Sequence, residues 1–485
     1  MTGPQPATDP GRRPARQVDV AVVGGGPTGL TAALAAARRG LDVDLFEASP
    51  SLGGMAAGLT VAGLRVDLGS HRLHPSATPP VMDLLGELLG DDLQLRERNG
   101  RLRFGDRWVR FPLQLPDLLR RLPPRAAAEA AVDLAGGLRP AGPARNYAEV
   151  IRHGLGATAL REFHGPMATK LWGADPEDLS SELARRRVAV RTPGRLVRTV
   201  TRTTRRSGRG FYYPRTGYGT IVERLADAAG RAGVRVHLAS PVTALTPAGP
   251  GRPVRLTGGD GVTGDAARVL WTAGPTRLLT ATGLDPSRLP APPEHRALVL
   301  VYLAVPLHRF SPVDAHYVPQ ADVVFSRLSE PKNYRDGPDP EGITVLCAEL
   351  PCSVGDGIWT AGDDDLVASV LDGMRRCHLP IPPVDGVAVH RLPSVYPVLR
   401  AAEPDARALL LARADRVPGV TVLGRQGLVV GDNLHQVMDM ALAAVSCLTN
   451  DPSRSGPAPP GGDHGWDSVR WLRHRRRFDG FVVAD

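Results

Sequence analysis

The sequence predicts an α/β protein: a Rossmann-type nucleotide-binding domain assembled from discontinuous segments, plus a mixed helical and β-sheet substrate domain. Three observations predict it. Residues 18–54 (VDVAVVGGGPTGLTAALAAARRGLDVDLFEASPSLGG) pass from an apolar run through Gly24, Gly26 and Gly29, in G-x-G-x-x-G spacing, into a helical pattern. Strand-like and helix-like patterns alternate again over 211–285 and 420–448. Between those stretches, 297–305 (ALVLVYLAV) and 343–350 (ITVLCAEL) are apolar strand runs that suit a second sheet.

Val18–Val23 is nearly all apolar, as expected of a strand buried on both faces. Gly24 permits a tight turn, Gly26 lets a pyrophosphate approach the backbone, and Gly29 lets helix and strand pack closely. Leu30–Arg39 reads as the helix, and Asp42–Phe46 as the next strand. Glu47 stands at the end of that strand, placed to accept hydrogen bonds from an adenosine ribose. Val81–Leu89, Leu113–Leu122 and Ala126–Leu138 read as helices separated by prolines. Further on, Thr220–Ala232 is a helix, and Arg235–Leu238, Arg268–Ala273 and Val420–Leu423 are strands. Val437–Leu448 is an apolar helix.

The expected division is a flexible N-terminus (1–16), a nucleotide-binding domain from 17–75, 206–285 and 415–450, and a substrate domain from 76–205 and 286–414. Residues 451–464 form a Pro/Gly linker, and the basic, Trp-containing tail after it reads as a solvated appendage, with membrane or partner binding as the alternative.

Composition excludes several classes. No apolar stretch approaches a membrane span, and the first residues lack the apolar core of a secretory signal. Four scattered cysteines make neither a disulfide framework nor a zinc site, so a reduced, cytoplasmic enzyme without a metal is expected. The net charge is +9, yet only Lys170 and Lys332 are lysines. That arginine bias fits a GC-rich genome, or arginine clusters that bind an anionic ligand. Aromatic content of 5% and the lack of a recognition motif argue against nucleic acid. The run Arg195, Arg198, Arg202, Arg205, Arg206 and Arg209 reads as a mobile, solvated loop, the alternative being a cover over the active site that recruits an acidic substrate by steering.

Glu47-Ala48 is followed by Gly53-Gly54-Met55, and then by Leu68-Gly69-Ser70-His71-Arg72-Leu73-His74. With these segments the chain, over roughly 17–450, resembles the superfamily of FAD-dependent amine oxidases, protoporphyrinogen oxidases, phytoene desaturases and UDP-galactopyranose mutases. The likeness is strongest to the protoporphyrinogen-oxidase-like and galactopyranose-mutase-like branch. There a Gly-x-His-x-x-His segment passes beside the flavin ring. Lys170-Leu171-Trp172-Gly173 with Arg187 and Arg191, Phe211-Tyr212-Tyr213-Pro214 with Gly217-Tyr218, and Arg327-Leu328-Ser329-Glu330-Pro331-Lys332 are similar to mutase motifs.

The resemblance implies FAD, held by Gly24, Gly26, Pro27, Thr28, Gly29, Glu47, Ala48, Gly53, Gly54, Met55, Gly69, Ser70, His71, Val242, Ala273, Gly274, Gly424, Gly431, Asp432, Val437 and Met438. Either Gly424-Arg425 or Gly431-Asp432 would be the ribityl- or phosphate-contacting pair, and the helix from Val437 would aim free N–H groups at the flavin pyrimidine ring. It implies His71, His74, Arg191 and Arg327 as catalytic candidates. Trp172, Tyr213, Tyr218, Arg191 and Arg327 would meet a small-molecule substrate. The expected activity is hydride transfer from a small polar, anionic or sugar-like metabolite to flavin N5, in a monomer or homodimer. A redox-neutral mutase acting on a nucleotide sugar is the alternative, opposed by the absence of tyrosine in Leu428–Asn433. A non-catalytic flavin-binding protein is the third reading.

Overall fold

A computed structural model describes residues 17–113, 143–187, 210–401, 406–448 and 465–481, apart from 251, 260 and 262, and also 117, 120, 121, 128, 129, 132 and 133. The expected helices at 113–122 and 126–138 fall largely outside these residues. So do Arg191 and the arginine run after it.

The glycine spacing folds as its physics requires. Strand β1 (Gln17–Val23) leads into helix α1 (Pro27–Ala37), and the chain returns as β2 (Val43–Phe46) parallel to β1. A hairpin follows, β3 (Gly58–Val61) and β4 (Leu64–Asp67). Helix α2 (Pro79–Leu89) then buries Val81, Leu84, Leu85 and Leu89 in the same core as β1 and α1. The expected boundary at residue 75 therefore moves, because an amphipathic helix belongs with whatever its apolar stripe covers.

Three short strands, β5 (Leu93–Glu97), β6 (Gly100–Phe104) and β7 (Arg107–Phe111), precede helices α3 (Tyr147–Leu155), α4 (Gly165–Trp172) and α5 (Ser181–Arg187). Strand β8 (Gly210–Pro214) pairs back onto β5. Helix α6 (Thr220–Arg231) and strands β9 (Arg235–His237), β10 (Val242–Thr246), β11 (Val254–Gly258) and β12 (Thr263–Trp271) complete the middle segment, with α7 (Pro275–Ala281) after them.

The second half adds β13 (His295–Val305), β14 (Ala315–Tyr317), β15 (Arg327–Ser329) and β16 (Thr344–Cys352). Helix α8 (Asp363–Arg376), strand β17 (Gly386–Pro397) and helix α9 (Ala406–Ala414) come next. The chain then forms β18 (Val420–Val422), the single turn α10 (Gly424–Gly427), α11 (Leu434–Ser446) and α12 (Ser468–Asp479).

Two sheets result. The first runs β10-β11-β12-β1-β2-β9, with β18 also on β12, and β1, β2, β9, β12 and β18 are parallel. The second runs β17-β13-β16-β15-β14-β6-β7 and is antiparallel except at β14–β6. Its central strands are apolar at nearly every position because both faces are covered. Val299, Val301 and Leu303 pack with Leu366, Val370 and Met374 of α8. Leu298, Leu300 and Tyr302 pack with Val61, Leu64 and Val66 of the β3–β4 hairpin. This alternation sets the hairpin, and the segment leaving it at Asp67, against the second sheet.

The basic tail is not a solvated appendage. Helix α12 buries Trp471 and Phe478, and Trp466 lies under the Arg268 guanidinium, 4.3 Å from its ring.

Candidate active site

The parallel strands of the first sheet end together, and the expected nucleotide contacts gather at those carboxyl ends, where open α/β sheets bind ligands. A Cβ at Gly24 would collide with Thr272 Oγ1, and one at Gly29 with the Gly24 carbonyl. These two glycines are packing requirements. A Cβ at Gly26 would meet nothing within 4 Å, which leaves the room a pyrophosphate needs at the start of α1. Pro27 opens that helix, where its missing N–H is harmless. Thr28 packs beneath Gly424, its Oγ1 2.8 Å from where a Cβ would stand.

Glu47 is oriented from both sides. Its Oε2 accepts from Gly25 N at 2.6 Å, and its Oε1 accepts from Ser49 N and Oγ at 2.8 and 2.7 Å. Gly53 N donates to Gly25 O at 2.9 Å, so Gly53-Gly54, both at positive φ, back the glycine loop, with Ala48 exposed beside it. Ala239 and Ser240 donate to Ser49 O and Glu47 O at 2.9 Å and bring Val242 to the same edge. Ala273 and Gly274 arrive because Thr272 N donates to Val23 O at 2.9 Å. Met55 reaches Gln426 from the opposite side, Sδ to Nε2 at 4.0 Å.

The last segment differs from expectation. Helix α11 starts at Leu434, not Val437, behind a capping box in which Asn433 and Gln436 satisfy each other's backbone N–H groups. Val437 N already donates to Asn433 O at 3.1 Å, and Met438 is fully buried. Neither supplies a free N–H, so the donors at this end are those of Leu434 and His435. Gly431 and Asp432 are buried just ahead of the cap. Asp432 Oδ1 accepts from Arg186 at 3.4 Å, and Arg425 donates to the Asp432 carbonyl at 3.0 Å.

The segment that leaves β4 crosses toward the second sheet. Gly69 turns at φ +91°, and Ser70 N donates to Glu349 Oε1 at 2.7 Å. The same carboxylate takes Arg327 in a fork, Nε to Oε1 at 2.9 Å and NH2 to Oε2 at 2.7 Å. Burial opposes the Arg327 charge, and Glu349 more than outweighs it. Arg72 pairs with Asp314 at 3.2 Å and donates to Tyr317 Oη at 2.9 Å, its guanidinium 4.7 Å from the Tyr334 ring centre. Ser70 Oγ shares a hydrogen bond with Tyr334 Oη.

His71 stacks on Tyr218, with ring centres 5.1 Å apart and planes 14° apart, and its buried Nδ1 has no hydrogen-bond partner among the described residues. Burial, with Arg327 and Arg425 nearby, lowers its pKa to about 3, so the imidazole is neutral at physiological pH. His74 bonds Ser76 through Nδ1 at 2.6 Å and stacks 6.0 Å from His435.

Several expectations change. Tyr213 is not available to a substrate: it is buried, and its hydroxyl donates to Asp67 Oδ2 at 2.5 Å. Trp172 packs against Tyr147 in the core of α3–α5, and Lys170 beside it donates to the carbonyls of Val318, Gln320, Val323 and Phe325. Arg327 is ion-paired rather than free for a phosphate.

Asp67 and Glu349 were missed. Glu349 had a signal, since it is the only acid in the apolar run 343–350. Asp67 also accepts from Tyr218 N at 3.0 Å, while its carbonyl takes Tyr302 Oη at 2.5 Å. Burial raises its carboxyl from 3.8 to about 6, against the hydrogen bond from Tyr213 and the Arg335 charge. A raised carboxyl contributes stability that is fully present below pH 3.8 and lost as pH rises through 6. Between pH 4 and pH 8 the wild type is therefore expected to lose up to about 3 kcal/mol relative to Asp67→Asn. Urea titrations of both proteins across that range check this; parallel curves would contradict it.

The model of the flavin containing amine oxidoreductase family matches residues 27–310, more than half of the chain. The chain belongs to that family. It is 29% identical over 268 residues to the zeta-carotene-forming phytoene desaturase of Myxococcus xanthus, 51% of this chain and 52% of that protein. The chain thus spans about half the length of this curated relative. In structure it is similar to reduced UDP-galactopyranose mutase, with a TM-score of 0.73 at 19% identity, covering 88% of this chain and 95% of that one. A putrescine oxidase gives 0.62 at 17% identity, covering 89% and 99%. These two likenesses show the fold.

This flavoprotein's cofactor is FAD. The open space at Gly26, the oriented Glu47 and the uncapped donors of α1 fit its pyrophosphate and ribose. No helix of the described residues is long and apolar enough to cross a membrane.

Proposed function

We propose that this oxidoreductase dehydrogenates a small, weakly charged polar metabolite, with FAD accepting hydride when bound. The observation that carries the reading is the Arg327–Glu349 fork. A mutase for nucleotide sugars would need uncompensated arginines opposite a diphosphate. Here Glu349 neutralises Arg327, and Asp314 neutralises Arg72. Of the small polar, anionic or sugar-like metabolites expected from the sequence, this compensated wall favours those with little charge.

The chain's own residues have definable roles. Gly69 and Ser70 hold the segment against the second sheet through Glu349. Tyr218 supports the His71 ring, and His71 keeps a neutral imidazole whose Nδ1, without a partner among the described residues, can donate or accept one hydrogen bond. A neutral imidazole orients a polar substrate group without adding charge. Arg191 lies outside the described residues, and a role in substrate contact is proposed for it from resemblance alone.

Anaerobic mixing with a panel of alcohols, amines and unsaturated metabolites tests the reading. Bleaching of the oxidised flavin by one of them, without added reductant, is expected. Turnover of a nucleotide sugar that requires dithionite-reduced enzyme would replace dehydrogenation with the mutase reaction.

A further inference from the structure

Helix α12 has two faces, and the flavin chemistry uses neither. One holds Trp471 and Phe478, which sit with Trp466 in the first core. The opposite face follows the spacing i, i+3, i+4, i+7: Val469, Leu472, Arg473 and Arg476, all exposed. Val469 is 52% and Leu472 59% exposed. The acids near the helix have other uses. Asp467 caps it by accepting from Arg470 N at 2.8 Å. Asp439 pairs with Arg477 at 2.9 Å and Asp415 with Arg475 at 3.4 Å. Arg473 and Arg476 are exposed and have no ion pair among the described residues, whereas the neighbouring Arg470 turns back to the body.

We infer that this face docks the protein on an anionic lipid surface. Leu472 and Val469 would enter the interfacial layer, and Arg473 and Arg476 would lie against headgroup phosphates. Aliphatic side chains interleaved with long cations are what an interfacial helix needs, because arginine stems bury while their heads stay wet. Nucleic acid would gain nothing from the exposed leucine and valine. A protein partner would be expected to meet an aromatic anchor or a pocket, and this stripe offers neither.

The helix is also fixed to the body rather than tethered. Arg470 NH1 donates to Ser446 O at 3.0 Å, and Arg186 reaches the Phe478 carbonyl at 3.5 Å. The stripe is therefore presented in one orientation, which favours a flat surface as its occupant.

The test uses the full chain and sedimenting vesicles of phosphatidylcholine, alone or with about one third phosphatidylglycerol. Binding is expected only to the anionic vesicles, and raising the salt to about 0.5 M is expected to release it. Arg473→Glu with Arg476→Glu is expected to weaken partitioning at least about tenfold. Leu472→Ser is expected to weaken it about threefold and leave the salt dependence unchanged. An unchanged melting curve for each variant separates lost docking from lost fold. Equal binding to neutral vesicles would overturn the inference. So would unchanged partitioning of the double variant, which would move the attraction elsewhere on the chain. A lack of binding at low salt would also overturn it and leave the stripe to an acidic protein surface.

Discussion

Glu349→Ala is expected to destabilise the protein by about 3–5 kcal/mol, because it strands a buried guanidinium without its counter-charge. Glu349 is 1% exposed and uses both oxygens: Oε1 serves Ser70 N and Arg327 Nε, and Oε2 serves Arg327 NH2. Its removal leaves three donors without that acceptor, and two of them belong to the charged guanidinium. Denaturant titration reads the loss. A control separates charge from packing. Arg327→Leu combined with Glu349→Leu removes both charges and is expected to recover most of the stability, since an apolar pair fills the space without a desolvation cost. If the double variant were as unstable as Glu349→Ala, the pair would not be the reason for the loss.

Gly26→Asp is expected to abolish FAD retention while leaving the melting temperature of the apoprotein nearly unchanged. The position tolerates a Cβ sterically, since nothing lies within 4 Å, and its backbone conformation is ordinary for any residue. The new carboxylate would occupy the space that the pyrophosphate needs, and it would repel it. Gly29→Ala should behave differently, because its Cβ would strike the Gly24 carbonyl and distort the turn itself. Loss of FAD should then come with loss of stability. Gel filtration from excess FAD, followed by flavin fluorescence of the denatured protein, distinguishes the two. Equal retention by Gly26→Asp and wild type would remove the phosphate from this loop.

The readable parts of this chain were those in which local sequence carries the constraint. Gly24 and Gly29 are required by contacts with Thr272 and with the glycine loop itself, so their spacing marked the tight turn between β1 and α1. The runs at 297–305 and 343–350 were legible as strands because each is covered on both faces. What escaped depends on distant pairings. Strand β5 finds its partner in β8 more than a hundred residues later, and β6 joins the second sheet only through β14. Arg327 looked like an anion ligand because nothing in its own segment shows the carboxylate 22 residues away that neutralises it. Tyr213 looked like a site residue until Asp67 claimed its hydroxyl. The tail looked solvated because its arginines dominate the composition, whereas its fold is decided by Trp471 and Phe478, seven residues apart on one face.

The central claim is that Gly26, Glu47, the Gly53-Gly54 turn and the start of α11, separated by almost the whole chain, form one FAD cradle. The visible absorption spectrum of the purified chain, desalted from excess FAD, tests it most directly. A retained flavin band at about 450 nm, at close to one FAD per chain, is the predicted result. A colourless protein after the same treatment would contradict it.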